Sequence, residues 1–328
     1  MGIKIREILP AREITLDDLR GKVIAVDFFN VVYQFLASIR MADGTPLTDS
    51  HGRITSHLQG LLNRTVALME KGIKLVFVFD GKPHPLKFGE RERRLERKAV
   101  AHAKYEDAVA AEDVTAMGKY AKQKIRITSE IIEESKQLLE ALGLPVVQAP
   151  CEGEAQAAYM VVKGDCWAVA SQDADVLLFG SSRLIRNLTL SQKRKVGSRY
   201  VQTYIELITL QDVLHQLHIT FEQLIYLGIL IGTDFNPGGV SGIGPKKGLK
   251  IVREKKPEEM FGDSPWQEIA AVFHDHPVTD SYTLQWKSVN RNKVYALLVG
   301  EHDFDEQRVA SVLDRISRPG QKGLADFF

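Results

Sequence analysis

A mainly parallel α/β sheet flanked by helices is the fold class this sequence predicts, and three observations carry it. Three β-branched apolar runs each lead into aspartate; helical patterns alternate with them; and 328 residues at 44% hydrophobic can bury one large core or two ordinary ones. The first run, "GKVIAVDFFN", is continuous, as expected of a strand buried on both faces, and ends on Asp27. The second, "GIKLVFVFDGKP", ends on Asp80 before a Gly and Pro turn signal. The third, "DCWAVASQDADVLLFG", runs into Asp173 and Asp175. Helical patterns lie between, "ITSHLQGLLNRTVALMEKG" after the first and "SEIIEESKQLLEALG" before a short strand "LPVVQAP". Strand and helix in alternation imply parallel pairing. Ligands bind such sheets beyond the carboxyl ends of the strands, so the acids at three strand ends are expected to face one crevice.

Composition narrows the class. Two cysteines, Cys151 and Cys166, cannot staple a chain of this length and fit a reducing compartment, so no disulfide is expected. The N-terminus is charged throughout, and the longest apolar run, "LIYLGILIG", is far short of the ~18 residues of a membrane span. A soluble, intracellular protein is expected. The net charge of +1 hides a segregated distribution. Between Lys82 and Lys104 there are eight Lys/Arg against three Glu, and between Pro245 and Lys256 six against one. An acidic centre flanked by basic surfaces suits metal-dependent handling of a polyanion.

The glutamates of "APCEGEAQAAYM" add to that centre. On a regular helix positions i and i+2 diverge, so Glu152 is expected at or before a helix N-terminus, in the bend after Pro150, with Glu154 in the first turn. Asp173 and Asp175 reach one site together if the strand persists that far. For either pair alone the plainer reading holds: N-terminal capping for the glutamates, turn formation for the aspartates. Asp234, in "LGILIGTDFNPGG", brings the carboxylates at element ends to seven. So many like charges stay ionised together only beside cations. Hard oxygen donors without His or Cys select Mg²⁺, with Mn²⁺ as a substitute, over Zn²⁺. Seven acids suit two such ions about 4 Å apart, an arrangement that serves phosphodiester hydrolysis.

The blocks "VDFFNVVYQFLASIR", "FVFDGKP", "APCEGEAQAAYM", "SQDADVLLFG" and "IGTDFNPGGVSGIGPKKGLKIV" resemble, in order and spacing, the flap endonucleases, structure-specific 5′ nucleases of the xeroderma pigmentosum group G class. The resemblance covers residues 1 to about 255 and, with no long insertion, looks like the archaeal members, which implies a cytoplasmic location. It implies a PIN-like nuclease fold and hydrolysis near the base of a 5′ flap in replication (Okazaki fragment processing) and repair, with 5′-3′ exonuclease activity beside it. By position Asp27, Asp80, Glu152, Glu154, Asp173, Asp175 and Asp234 match the family's metal-site acids. Two positions depart from its pattern: Phe28, where a small residue usually follows the first aspartate, and Cys151, where serine is more usual. Phe28 is expected to crowd the site.

Residues 81 to 126 read as one or two polar helices with too few large apolar residues for a core-facing stripe. A solvated, salt-bridged helix pair is the bland reading; the resemblance implies the helical arch through which a flap's 5′ end passes. Lys87 and Arg94 then match the two basic residues that approach the scissile phosphate. "GGVSGIGPKKGLKIV" resembles the family's helix-turn-helix, in which Gly242, Gly244, Lys246 and Lys247 hold the duplex, often with a bound monovalent cation. Tyr33 matches a tyrosine that stacks on a base near the cut, although a core tyrosine would give the same pattern, and Arg40 and Thr55 match the pocket for a one-nucleotide 3′ flap. The implied division is a nuclease core over 1–235 with the arch at 82–128, a helical DNA-binding region over 236–316, and a tail over 317–328.

In that tail, Leu324, Phe327 and Phe328 follow the i, i+3, i+4 pattern with Gln321 one turn earlier. Folding back into the chain's own core would use them too, but the set resembles the motif by which replication enzymes bind the sliding clamp (PCNA). The partners implied are branched DNA and the clamp, with no membrane, for a monomer. Other classes fit part of the pattern. A catalytically silent junction binder would leave seven unneutralised acids to repel DNA, and a metal-binding domain unrelated to DNA leaves the glycine run and the tail unexplained. A nuclease of the same fold acting mainly as an exonuclease or on single strands is separated by the arch.

Overall fold

The computed structural model describes residues 3, 5–41, 44–87, 100, 125–190, 193–196, 199–262 and 264–317. Arg94, most of the expected arch, and Gln321, Leu324, Phe327 and Phe328 lie outside the described residues.

A seven-stranded sheet forms the centre, in the order β1-β9-β6-β5-β2-β3-β4. Its strands are β1 (Arg12–Ile14), β2 (Val23–Asp27), β3 (Lys74–Phe79), β4 (Val146–Gln148), β5 (Ala168–Ala170), β6 (Arg183–Arg186) and β9 (Ile205–Thr209). The five strands from β6 to β4 pair in parallel, and β9 and β1 continue one edge antiparallel. The mainly parallel sheet expected from the sequence is therefore present. A separate hairpin joins β7 (Lys193–Val196) to β8 (Arg199–Gln202).

Helices cover both faces because the central strands are apolar on both sides. Ile24 and Val26, with Leu75, Phe77 and Phe79, pack under α1 (Phe28–Ser38), α2 (Ser56–Glu70) and α3 (Ser129–Ala141). Ala25, Val76, Val78 and Val169 point the other way, toward α4 (Gly153–Val162), the short α5 (Asp175–Leu178), α6 (Leu210–Leu217) and α7 (Phe221–Ile231). Thr128 caps α3 through the Ile131 N–H, and Thr220 with Gln223 forms a capping box on α7. The start of α3 is the one that the pattern "SEIIEESKQLLEALG" predicts. Among the described residues no helix is long and apolar enough to cross a membrane.

After α7 the glycine run crosses back over the helix end. Gly232 and Gly239 have positive φ of 106° and 53°, and a Cβ on Gly232 would lie 2.6 Å from the Gly239 nitrogen. The chain then enters α8 (Pro245–Glu254), α9 (Pro257–Phe261) and α10 (Trp266–His274), whose Val252, Phe261, Trp266 and Phe273 join the core on the α4 face. A stretch without regular secondary structure over 276–290 follows, with the Trp286 Nε1–H donating to the Leu75 carbonyl at 2.9 Å. It leads to α11 (Arg291–Tyr295), a π-helical turn (Ala296–Glu301) and α12 (Glu306–Ser317), which packs on the α2 face.

One local expectation fails. The strand does not persist to Asp175: β5 stops at Ala170, and Asp175 opens α5. Side chains turn the backbone there, the Asp173 N–H donating to Ser171 Oγ (3.1 Å) and the Asp175 N–H to Asp173 Oδ1 (3.3 Å).

Candidate active site

The carboxyl ends of β2, β3 and β5 and the start of α4 meet at one place, and each acid reaches it for a local reason. Asp27 is the last residue of β2 and also the N-cap of α1, its Oδ1 accepting the Asn30 N–H at 3.1 Å. Asp80 follows β3 directly and accepts the Gly153 N–H at 2.7 Å. Gly81 permits this approach, because a Cβ there would strike the carbonyl oxygens of Ala149 and Pro150. Glu152 is the N-cap of α4 and Glu154 lies in its first turn, as the bend after Pro150 predicts. Glu152 makes no side-chain cap, which removes the plainer reading of that pair. Its Oε2 instead sits 2.5 Å from Lys87 Nζ.

Ser171 ties two of the strand ends together. Its hydroxyl lies 3.0 Å from Asp27 Oδ2 and 3.4 Å from Glu154 Oε1. Glu154, Asp173 and Asp175 each offer an oxygen within 4.8 Å of the others, a set of hard donors with the spacing of a cation site. The buried Ile3 N–H donates to Asp175 Oδ1 at 2.8 Å. Asp234, in the turn after α7, lies 3.6 Å from Lys87 Nζ.

Electrostatics join all seven acids into one group. Burial, with the charges of Asp27 and Glu152, pushes the Asp80 carboxyl up to about 7, against the Gly153 N–H and Lys87. Burial raises Glu154 well above the usual range, with Asp173, Asp27 and Asp175 adding to it. Asp175 rises for the same reasons, burial first and then Asp173, with Asp234 also contributing. Asp27 is raised by burial in spite of its Asn30 and Ser171 hydrogen bonds. Four carboxyls held in the protonated direction by burial and by one another fit a divalent cation, which supplies the missing positive charge. For Lys87, burial opposes the charge, but Glu152, Asp234 and Glu154 outweigh it and hold the ammonium above its ordinary range.

Phe28 does not crowd this site. Its side chain is fully buried beneath the strands, stacked on Phe79 with ring centroids 3.8 Å apart and edge-on to Phe29. The first residue of α1 points into the core while its neighbour Asp27 faces the crevice. Cys151 is buried too, its thiol pushed up by burial and by Glu152.

The DNA-contact candidates fall at the edges. Tyr33 is 43% exposed on α1, so it is no core tyrosine. Arg40 donates to the carbonyls of Leu36 (2.8 Å) and Gly44 (2.6 Å), and Thr55 is buried as the N-cap of α2. Gly244 is the N-cap of α8; Gly242 has a φ of 75°; Lys246 and Lys247 are exposed on the first turn.

Sequence reasoning missed three contributors. Ser171 stands one residue after β5, and the serine before "QDAD" was the available signal. The backbone N–H of His84 donates to Glu152 Oε1 at 3.4 Å. His276 accepts the Glu152 N–H on Nε2 at 3.3 Å, its imidazole held down to about 4 chiefly by burial. Neither histidine shows a motif.

A mainly parallel sheet that delivers clustered acids from three strand ends and a helix start has the layout of a nuclease centre. The XPG N-terminal domain family matches residues 1–101 and the XPG I-region matches residues 143–234. Flap endonuclease 1 of Pyrococcus abyssi is 50% identical over 98% of this chain and 96% of its own, and that of Aeropyrum pernix is 48% identical over 99% and 97%. The solved flap endonuclease-1 of Methanococcus jannaschii is 40% identical, with a TM-score of 0.78 over 96% of this chain and 98% of that one. The catalytic core of Rad2 in complex with DNA substrate shares the fold at 22% identity and a TM-score of 0.72, covering 93% of this chain and 96% of that one. The chain belongs to the flap endonuclease family, and its function is structure-specific cleavage of DNA at 5′ flaps.

Proposed function

We propose that this flap endonuclease hydrolyses the phosphodiester near the flap base with two divalent cations, Mg²⁺ foremost and Mn²⁺ as a substitute, held by Asp27, Asp80, Glu152, Glu154, Asp173, Asp175 and Asp234. The observation that carries this reading is the electrostatic joining of all seven acids around Glu154, Asp173 and Asp175. When bound, such ions supply an activated water and offset the charge of the phosphate. The chain's own residues do the rest. Ser171 holds Asp27 and Glu154 in register, and Asp80 commits one oxygen to the Gly153 N–H. Lys87, charged and set between Glu152 and Asp234, is the cation placed to meet the scissile phosphate, with Arg94 as its companion from the arch at 82–128.

DNA is held around this centre by shape. Exposed Tyr33 stacks on a base beside the cut, and Arg40 and Thr55 shape the end of the 3′-flap pocket. Gly242, Gly244, Lys246 and Lys247 take the downstream duplex at the start of α8, with a monovalent cation in the glycine turn. The layout proposed is a nuclease core over 1–235, a DNA-binding region over 236–316 and a clamp-binding tail over 317–328, in a cytoplasmic monomer. Exonuclease activity follows from the same centre acting at a nick or gap. The test is Asp175→Ala: cleavage is expected to fall by at least about a thousandfold while flap binding measured by fluorescence anisotropy is kept. Equal loss of both in a folded variant would contradict a metal-ligand role.

A further inference from the structure

The glutamate-bearing helix α4 is braced from outside by residues 276–282, and the contacts fall on one stripe of the helix. The Thr279 N–H donates to Gln156 Oε1 (2.8 Å), whose Nε2 donates back to the Thr279 carbonyl (2.9 Å); Gln156 is fully buried. The Tyr159 hydroxyl and Lys163 Nζ donate to the Asp280 carboxylate at 3.0 and 2.7 Å. Just beyond the helix, the Tyr282 hydroxyl donates to Asp165 Oδ2 at 2.5 Å. At the other end the Glu152 N–H donates to His276 Nε2. Positions 152, 156, 159 and 163 are spaced by four, three and four, the repeat of a single helix face.

A helix start leaves backbone N–H groups without partners, and an N-cap side chain usually takes one of them. Helix α4 is capped from elsewhere: Asp80 takes the Gly153 N–H and His276 takes the Glu152 N–H. The Glu152 carboxylate is thereby left for Lys87 and the acid cluster. We propose that His276 is a positioning residue for the reaction, whose Nε2, facing the Glu152 N–H, fixes the turn that carries Glu152 and aims Glu152 and Glu154 into the site. Without that acceptor a part-buried N–H loses its partner and the turn is free to reorient. The inference rests on the divalent-cation reading above.

The test uses the full chain with His276→Phe, which keeps a ring and removes the acceptor, and His276→Gln, whose amide oxygen restores one. Three quantities are read: Mn²⁺ binding without DNA by electron paramagnetic resonance, hydrogen exchange over residues 150–155, and kcat and KM on flap DNA. The Phe variant is expected to bind Mn²⁺ about tenfold more weakly and to lose about tenfold in kcat, with KM within about twofold of wild type. Exchange at the helix start should quicken, and the Gln variant should recover most of each effect. A Phe variant matching wild type in Mn²⁺ affinity and exchange overturns the proposal. So does a Gln variant as impaired as the Phe variant with an equally lowered Tm, which would make His276 a packing residue. A wild-type chain that binds no Mn²⁺ overturns the cation reading and this inference with it, and the wild-type arm tells that outcome apart.

Discussion

Asp80 and Gly153 are locked together: the carboxylate accepts the glycine N–H at 2.7 Å, and a Cβ at residue 153 would stand 2.6 Å from the same oxygen. The glycine between the two glutamates is thus what lets β3 and α4 bring their acids into one cluster.

Gly153→Ala therefore separates activity from stability. Alanine is the better helix former by at most about 1 kcal/mol, and loss of the Asp80 hydrogen bond offsets that gain, so the variant should stay folded with a Tm close to wild type. Asp80 must swing aside, and kcat should fall by about ten- to a hundredfold. Thermal melting and single-turnover cleavage measured side by side check this; wild-type kcat in the variant would remove the steric argument.

Phe28→Ala probes the core beneath the site. Phe28 follows Asp27, Phe79 precedes Asp80, and their rings stack, so one aromatic pair floors two of the acids. Truncation should cost about 3–5 kcal/mol in urea unfolding. A stability change near zero with increased cleavage would instead mean that the ring presses on the site.

The raised carboxyls give the metal-free protein a definite pH dependence. Asp80 titrates near 7 in the fold against an ordinary value near 4, and Asp27, Glu154 and Asp175 move the same way. A carboxyl raised on folding contributes stability that is complete below its unfolded pKa and lost as pH rises through the folded one. In EDTA, Tm should therefore drop as pH rises from about 4 through about 7, and Mg²⁺ should restore it most at the alkaline end, where no proton competes with the cation. A Tm flat across that window, with or without Mg²⁺, would contradict the coupled cluster.

Much of this site was legible in the sequence because its acids mark element boundaries. Asp27 and Asp80 end β-branched runs, and Pro150 announces the bend that places Glu152 and Glu154 at a helix start. What stayed hidden depends on which strands lie side by side. Ser171 touches Asp27 only because β5 pairs with β2, and no local pattern encodes that pairing. The inward turn of Phe28 depends on Phe79 across the sheet, and His276 comes from 124 residues beyond Glu152. Asp173 and Asp175 converge through a side-chain-driven turn where alternation along a strand was expected.

The tail gives a prediction at the level of partners. With Gln321, Leu324, Phe327 and Phe328 as the clamp-binding set, deleting 321–328 should bring the ratio of cleavage rates with and without the clamp down to one. A ratio unchanged by the deletion would place the clamp contact elsewhere.

Cleavage of a labelled double-flap DNA, beside an unbranched duplex and a single strand, each with Mg²⁺ and with EDTA, tests the central claim most directly. The account predicts a cut near the flap base that requires Mg²⁺, with little action on the other two substrates. Flap cleavage that persists in EDTA, or flap binding without cleavage in any divalent metal, would contradict it.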